Sequence, residues 1–132
     1  ELIITGRAKD VLIFNGQKIH AEDIEACLQD SAPATPGARA AVALTLEMHG
    51  YERLVIVAEA ERHISSVNAA ALAAGIRERI AQTHHLPVAH IHIVKRGAIP
   101  RTVSGKLQRA ACRTALTQHH LQPVHSWEAP WL

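Results

Sequence analysis

Two apolar runs that flank a short polar turn constrain the fold more than any other feature of the sequence. Residues 39–48 are rich in Ala, Val and Leu, and a second apolar run covers residues 54–58. The segment between them is polar and contains Gly50, and apolar runs joined by a Gly-containing turn are typical of antiparallel strands. The sequence therefore predicts a pair of strands in the first half of the chain.

Three segments show the spacing of apolar residues that is typical of helices. The first covers residues 21–29 and carries acidic side chains in its first turn, where they complement the helix dipole. The second is rich in Ala, is capped by Ser65 or Ser66 and ends near Thr83. The third begins near Lys106. Each of these helices has one apolar face, so each is expected to cover a sheet.

Shorter apolar runs predict further strands at residues 2–4, 11–14 and 88–94. Asn15 and Gly16 follow the second of these runs, and Asn-Gly is a strong hairpin signal because both residues tolerate a positive φ. We therefore expect an α+β fold with a small mixed or antiparallel β-sheet and an N-terminal β-hairpin. About three helices would cover the sheet.

Composition excludes several classes of function. The chain has 132 residues, of which 48% are hydrophobic and 20% charged, with a net charge of +2. Its basic residues are scattered and only 3% of residues are aromatic, which disfavours nucleic-acid binding. No apolar run approaches the length of a membrane span, and no signal peptide opens the sequence. The two cysteines lie in helix-like apolar patterns, which favours buried reduced thiols and predicts a cytoplasmic protein.

Ten histidines raise the question of a metal site. Two pairs, at 84–85 and 119–120, are adjacent in sequence, so their side chains point away from each other on a helix or strand. His90 and His92 would share one face of a strand, but no third ligand is evident and a solvent-facing edge explains them equally well. We therefore predict no metal site.

Residues 97–109 place a single lysine in a loop suited to an anion. Gly105 removes side-chain bulk beside Lys106, Pro100 stiffens the start of the loop, and Ser104 could cap the helix that follows. The segment is not a P-loop, because Pro100 stands where that motif requires its first glycine. An ordinary surface turn is the alternative interpretation of the same residues.

Two segments, near opposite ends of the chain, together resemble the motifs that open and close one domain of a known superfamily. That domain is the small C-terminal domain of adenylate-forming enzymes, which include acyl-CoA synthetases, nonribosomal peptide adenylation domains and luciferases. The opening motif is residues 5–13 (TGRAKDVLI) with Gly16, Ile24 and Glu25, and the closing motif is residues 99–109 (IPRTVSGKLQR). The resemblance covers roughly residues 1–117.

Within this superfamily, the amino-acid sequence of the closing segment is most similar to that of fatty acyl-AMP ligases. The similar stretches are GAIP at residues 97–100 and SGKLQRAACR at residues 104–113. Residues 17–21 (QKIHA) depart from the Arg-Asn-aromatic-aromatic-Pro run that is common in that subfamily.

The resemblance implies roles for five residues. Lys106 matches the catalytic lysine, which bridges the carboxylate and the phosphate or ribose oxygens, and Arg7 matches an arginine near the ribose and phosphates. Lys9 matches the hinge about which the domain rotates between two half-reactions, although a solvated lysine at a strand end is the alternative. Gly16 would leave room for the incoming pantetheine arm. Lys18 would contact the carrier or a phosphate, unless it is only a surface lysine.

The resemblance also implies the partners. Residues 1–117 would form the C-terminal lid domain, and residues 118–132 a tail, a linker or an extension packed at an edge. ATP with Mg²⁺ would be bound mainly by a larger N-terminal domain that the chain lacks, so the chain alone is expected to be inactive. A fatty acid would be the substrate, and an acyl carrier protein or coenzyme A the acceptor. The alternatives are a lid of an acyl-CoA synthetase or nonribosomal adenylation domain, and a non-catalytic partner-binding module.

Overall fold

The structure is a computed structural model that describes residues 11–14, 17–29, 38–48, 50–60, 65–95, 97–100, 102–103 and 108–130. These residues form nine elements in a mixed order of strands and helices. In chain order they are β1 (Val11–Phe14), β2 (Gln17–His20), α1 (Ala21–Gln29), β3 (Ala38–Met48), β4 (Tyr51–Ala60), α2 (Ser66–His84), β5 (His90–Val94), α3 (Arg109–Thr117) and β6 (Pro123–Glu128).

Four of the strands form one mixed sheet in the order β3-β4-β5-β6. β4 and β5 run parallel, and the other neighbours run antiparallel. α2 provides the crossover that a parallel pair requires. β1 and β2 form a separate antiparallel hairpin. The predicted α+β fold, with a small sheet, an N-terminal β-hairpin and helices that cover the sheet, is therefore confirmed.

The first face of the sheet carries the larger hydrophobic core. Because successive strand residues point to opposite faces, Leu54, Ile56 and Ala58 of β4 all face α1 and α2. From the helices, Ile24 and Ile76 pack against them and are fully buried. This core holds α1 and α2 on one side of the sheet.

The second face carries a smaller core beneath α3. Val42 and Leu44 of β3 and Val55 and Val57 of β4 pack there with Cys112 of α3. The register aligns Val55 with His90 and Val57 with His92, so the two histidines lie on this face as well. The second face is therefore apolar under α3 and polar toward β6.

The boundaries of α2 follow from local chemistry. Ser65 is the N-cap, and its hydroxyl accepts a hydrogen bond from the Asn68 backbone N–H at 3.1 Å. His85, at a φ of 57°, ends the helix in the left-handed conformation, and its N–H donates to the Ala81 carbonyl at 3.1 Å. The predicted Ser65 cap is confirmed, and the helix ends one residue beyond Thr83. No helix in the described part of the chain is long and apolar enough to cross a membrane.

The start of α3 differs from the prediction. The helix begins at Arg109, and its N-cap is Gln108 in an extended conformation, with φ −114° and ψ 102°. A residue in that conformation cannot continue a helix, so the prediction of a helix that starts near Lys106 with Ser104 as cap is wrong. The physical reason is that the Gln108 N–H donates to the Pro100 carbonyl instead of joining a helical turn.

The end of the described chain contains a strand that the sequence does not predict. The sequence predicts a tail, a linker or an edge extension for residues 118–132, and within this range Pro123–Glu128 form the edge strand β6. Pro123 is tolerated because it is the first residue of an edge strand. The predicted strand at residues 2–4 lies outside the described residues.

Candidate functional site

The Lys106 loop, defined here as residues 101–107, connects Pro100 to Gln108 in the sequence. The Gln108 backbone N–H donates to the Pro100 carbonyl at 3.0 Å. The ends of the loop are therefore held together by a backbone hydrogen bond. Of its described residues, Thr102 is half-buried and Val103 is fully exposed.

The N-terminal end of the loop is fixed to the sheet through a buried carboxylate. Gly97 turns the chain at a φ of 85°, a conformation that favours glycine. Ile99 then enters the second core, and its N–H donates to Glu59 Oε2 at 2.9 Å. Glu59 lies on β4 and is buried, so this hydrogen bond is shielded from water.

The C-terminal end of the loop is fixed by an ion pair. Arg109 donates from Nε to Glu25 Oε2 at 2.7 Å, and a second bond joins Nη2 to Oε1 of the same carboxylate. Glu25 Oε2 also accepts the backbone N–H of Ala43 on the edge strand β3 at 2.9 Å. One carboxylate on α1 thus joins the sheet edge to the first residue of α3.

The N-terminal hairpin is continuous with this anchor. Phe14 pairs with Gln17 and Ile13 with Lys18, and α1 begins directly after β2. Lys18 is exposed close to the hairpin turn, where a partner could reach it. The ion pair therefore brings together Glu25 of the opening motif and Arg109 of the closing motif, two residues that stand 84 positions apart in the sequence.

A family model described as the AMP domain of Disco-interacting protein 2-like proteins matches residues 9–126. The chain belongs to this family. The predicted resemblance to the adenylate-forming enzymes is therefore confirmed.

Relatives of this AMP domain include fatty-acid ligases. It is 39% identical over 130 residues to the medium-chain-fatty-acid–[acyl-carrier-protein] ligase JamA of Moorena producens, covering 98% of this chain and 21% of that protein. It is 40% identical over 117 residues to the putative fatty-acid–CoA ligase fadD25 of Mycobacterium tuberculosis, covering 85% of this chain and 19% of that protein. The chain thus spans about a fifth of the length of these relatives.

Solved structures show the same fold. The crystal structure of a fatty acid AMP ligase from Legionella pneumophila superposes with a TM-score of 0.71 at 23% identity. The match covers 91% of this chain and 24% of that one. The fold of the AMP domain is therefore the fold of one domain within a larger ligase structure.

Of the predicted site residues in this AMP domain, only Lys18 falls in the described part. Arg7, Lys9, Gly16 and Lys106 lie outside the described residues, and their roles stay predictions. The structure instead defines what surrounds them in the chain, above all the two ends of the Lys106 loop.

The residues that anchor the Lys106 loop, Glu25, Glu59 and Arg109, have weak signals in the sequence. Glu25 and Arg109 belong to the motifs, but the resemblance implies no role for either residue. Glu59 interrupts an apolar strand pattern with a single charge, and a charge in such a place is retained in a core only with partners. That interruption could have marked Glu59 as a buried ligand of another segment.

Cys112 lies near the carboxylates of Glu25 and Glu59 but is not suited to nucleophilic chemistry. Burial raises the pKa of its thiol to about 11, with smaller contributions from the negative charges of Glu25 and Glu59. A thiol with that pKa stays protonated at neutral pH and is a weak nucleophile. The free Cys112 is therefore a core residue.

The two histidines on the second face, His90 and His92, contact each other and Ser126. The rings of His90 and His92 stack with centroids 5.6 Å apart, and His92 Nδ1 lies 3.0 Å from the Ser126 hydroxyl. They belong to the inner strand β5, so a solvent-facing edge does not explain them. In the described part of the chain, no group of three or more His, Cys, Asp or Glu side chains could hold a metal ion.

Proposed function

We propose that the chain is the C-terminal lid domain of a fatty acyl-AMP ligase-like enzyme. The enzyme would activate a fatty acid with ATP to an acyl adenylate and pass the acyl group to the phosphopantetheine thiol of a carrier protein. The observation that carries the proposal is that Pro100 and Gln108, which flank the segment containing Lys106, are joined by a backbone hydrogen bond and lie next to the anchored residues Ile99 and Arg109. The kinship with fatty-acid ligases supports the choice of substrate.

The chemistry of the first half-reaction explains why a lysine is required. A carboxylate oxygen of the fatty acid attacks the α-phosphorus of ATP, and the bond to the bridging oxygen breaks as pyrophosphate leaves with the electron pair. Negative charge is concentrated on the oxygens around the phosphorus in the transition state. The ammonium of Lys106 would stabilise this charge, and its flexible stem would allow it to withdraw afterwards. Arg7 would bind near the ribose and phosphates.

The second half-reaction would use the other end of the domain. We propose that rotation about Lys9 turns the hairpin toward the acyl adenylate, where Gly16 leaves room for the pantetheine arm and Lys18 contacts the carrier. The thiolate would attack the acyl carbon, and AMP would leave. ATP and its Mg²⁺ would be held mainly by the larger N-terminal domain, which is the proposed partner of this lid.

Separate assays of the two half-reactions test this proposal. In the full-length enzyme, Lys106→Ala should slow pyrophosphate release at least about a hundredfold, the usual order for losing a charge contact to a transition state. Acyl transfer from supplied acyl adenylate should persist. Lys95→Ala is the matched control, because Lys95 is an exposed lysine that precedes the same loop. Equal rates of pyrophosphate release in the two variants would refute the role of Lys106.

Two further substitutions test the proposed rotation. Gly16→Leu should impair transfer and leave pyrophosphate release near the wild-type rate, because only the thiol has to pass the hairpin. Lys9→Pro should favour one orientation, since proline fixes φ, and should therefore slow one half-reaction more than the other. If either variant slows both steps alike, the two-orientation scheme is wrong.

The acceptor is the point on which the alternatives differ. The Moorena relative is named as an acyl-carrier-protein ligase, and the Mycobacterium relative as a CoA ligase. Offering the full-length enzyme a phosphopantetheinylated carrier protein and coenzyme A in parallel distinguishes these functions. Transfer to coenzyme A alone would favour an acyl-CoA synthetase. If an amino acid rather than a fatty acid is activated, a nonribosomal adenylation domain is indicated. A full-length enzyme that forms no adenylate would favour a non-catalytic partner-binding module.

A further inference from the structure

The ion pair between Glu25 and Arg109 lies where it can control the Lys106 loop. Arg109 directly follows Gln108, the residue that closes the loop, and it is the first residue of α3. The side chain of Gln108 makes no capping hydrogen bond, so no side-chain cap from this residue fixes the start of α3. Two parallel bonds from a planar guanidinium to one carboxylate fix orientation as well as distance. The start of α3 is therefore oriented by Glu25.

Glu25 is itself held in place. Its Oε2 atom accepts the Ala43 N–H, which β3 presents at the outer edge of the sheet, in addition to the bond from Arg109. The side chains of Glu25 and Arg109 are only 14% and 16% exposed. Partial burial and bidentate geometry set this pair apart from exposed ion pairs, which contribute little.

We propose that Glu25 is a positioning residue for Lys106 and that it acts through Arg109, an inference that rests on the proposed role of Lys106 in adenylation. The carboxylate joins α1, the edge of β3 and the start of α3, so the end of the Lys106 loop is fixed relative to the hairpin that precedes α1. Loss of the Glu25 charge releases this end of the loop, and Lys106 then occupies its catalytic position less often.

A purely structural role of the ion pair predicts different behaviour. An ion pair that only stabilises the fold affects both half-reactions in proportion to the fraction of unfolded protein, whether or not Lys106 is present. A positioning role affects adenylation alone and only while Lys106 is there to be positioned. A double-mutant cycle separates the two, because residues that act through each other are not additive.

The experiment measures pyrophosphate release and acyl transfer in the full-length enzyme. Glu25→Gln keeps the shape and one oxygen for the Ala43 N–H but removes the charge that Arg109 binds. We expect this variant to lower kcat for pyrophosphate release about tenfold, the order for a lost hydrogen bond to a charged group. Transfer from supplied acyl adenylate should change less than about twofold. In the Lys106→Ala background, Glu25→Gln should likewise change pyrophosphate release less than about twofold.

Two more variants complete the design. Glu22→Gln removes a charge from the exposed side of the same helix and should leave both half-reactions near wild type. Arg109→Lys keeps the positive charge but loses the planar guanidinium that forms two parallel hydrogen bonds. It should therefore give a smaller loss of pyrophosphate release than Glu25→Gln. Arg109→Lys also supplies the test if Glu25→Gln does not fold, as judged by thermal unfolding.

The outcomes separate this inference from the proposed function. If Lys106→Ala slows pyrophosphate release but Glu25→Gln does not, positioning by Glu25 is wrong and the role of Lys106 stands. The same conclusion follows if Glu25→Gln gives equal losses with and without Lys106. If Lys106→Ala itself has no effect, the proposed function fails and the positioning role falls with it.

Discussion

The face of the sheet that α1 and α2 cover is packed with apolar side chains, whereas the face that α3 covers also holds a buried carboxylate. On the first face, Ile24 and Ile76 meet strand residues of the same character. On the second, Glu59 binds the Ile99 N–H, and the Glu25–Arg109 pair closes the sheet edge nearby. Apolar burial is strong but has no direction, while hydrogen bonds to carboxylates fix geometry. The difference indicates that the first face supplies stability and that the second fixes the residues at the two ends of the Lys106 loop.

The largest expected effect is on the stability of the first face. Ile76 of α2 is fully buried, so Ile76→Ala should lower the free energy of unfolding of the chain by about 2–5 kcal/mol. Chemical denaturation measures this loss. Val67→Ala is the control on the same helix, because Val67 is 76% exposed and should change stability by less than about 0.5 kcal/mol. Similar losses for both variants would contradict the assignment of stability to this face.

A smaller and more local effect is expected on the second face. Glu59→Leu removes the acceptor of the buried Ile99 N–H and should cost about 1–3 kcal/mol. Hydrogen exchange of the Ile99 amide should accelerate more than that of amides on the first face. Glu59→Gln, which keeps an amide oxygen as acceptor, is the matched control and should protect the Ile99 amide better. Uniform acceleration on both faces after Glu59→Leu would show that Glu59 stabilises the whole fold rather than the loop.

The same contrast explains what the sequence could predict. The strands and helices of the first face have clear apolar patterns, so the predicted bounds of β3, α1 and α2 are close to the observed ones, whereas β4 (Tyr51–Ala60) extends beyond the predicted residues 54–58 at both ends. The Lys106 loop was predicted from its glycine, proline and lysine. Both predictions rest on local patterns, which are the part of folding that a single sequence displays directly.

The parts that could not be predicted depend on contacts between distant segments. The pairing of Glu25 with Arg109 exists because β3 is the edge strand, and no local pattern states the strand order. The start of α3 was misplaced because the extended conformation of Gln108 depends on its bond to Pro100. Among the described residues, β6 has one neighbouring strand and packs only Val124 and Trp127 against the first core, so its alternation is weak.

The smallest effect concerns the polar part of the second face, where His92 lies half-buried. Burial, and to a lesser extent the charge of His90, lowers the pKa of His92 from its usual 6.5 to about 4. The unfolded chain therefore binds a proton at His92 below about pH 6.5, whereas the folded chain binds it only below about pH 4. Above pH 6.5 His92 does not reduce the free energy of unfolding, and as the pH falls from 6.5 toward 4 this free energy declines.

Substitution of His92 tests whether the polar part of this face responds to pH. His92→Gln cannot take up a proton, so the dependence of the free energy of unfolding on pH between 4 and 6.5 should become flatter. The change should stay below about 1.4 kcal/mol per pH unit, the limit for one proton, because water screens a partly exposed ring. His120→Gln, at an exposed position after α3, is the control and should keep the original slope. Because His90 and Glu128 pair across the strands beside His92, their variants should be measured as well. If His92→Gln leaves the slope unchanged, the pH response of this face does not come from His92, and His92 is an ordinary part of the sheet.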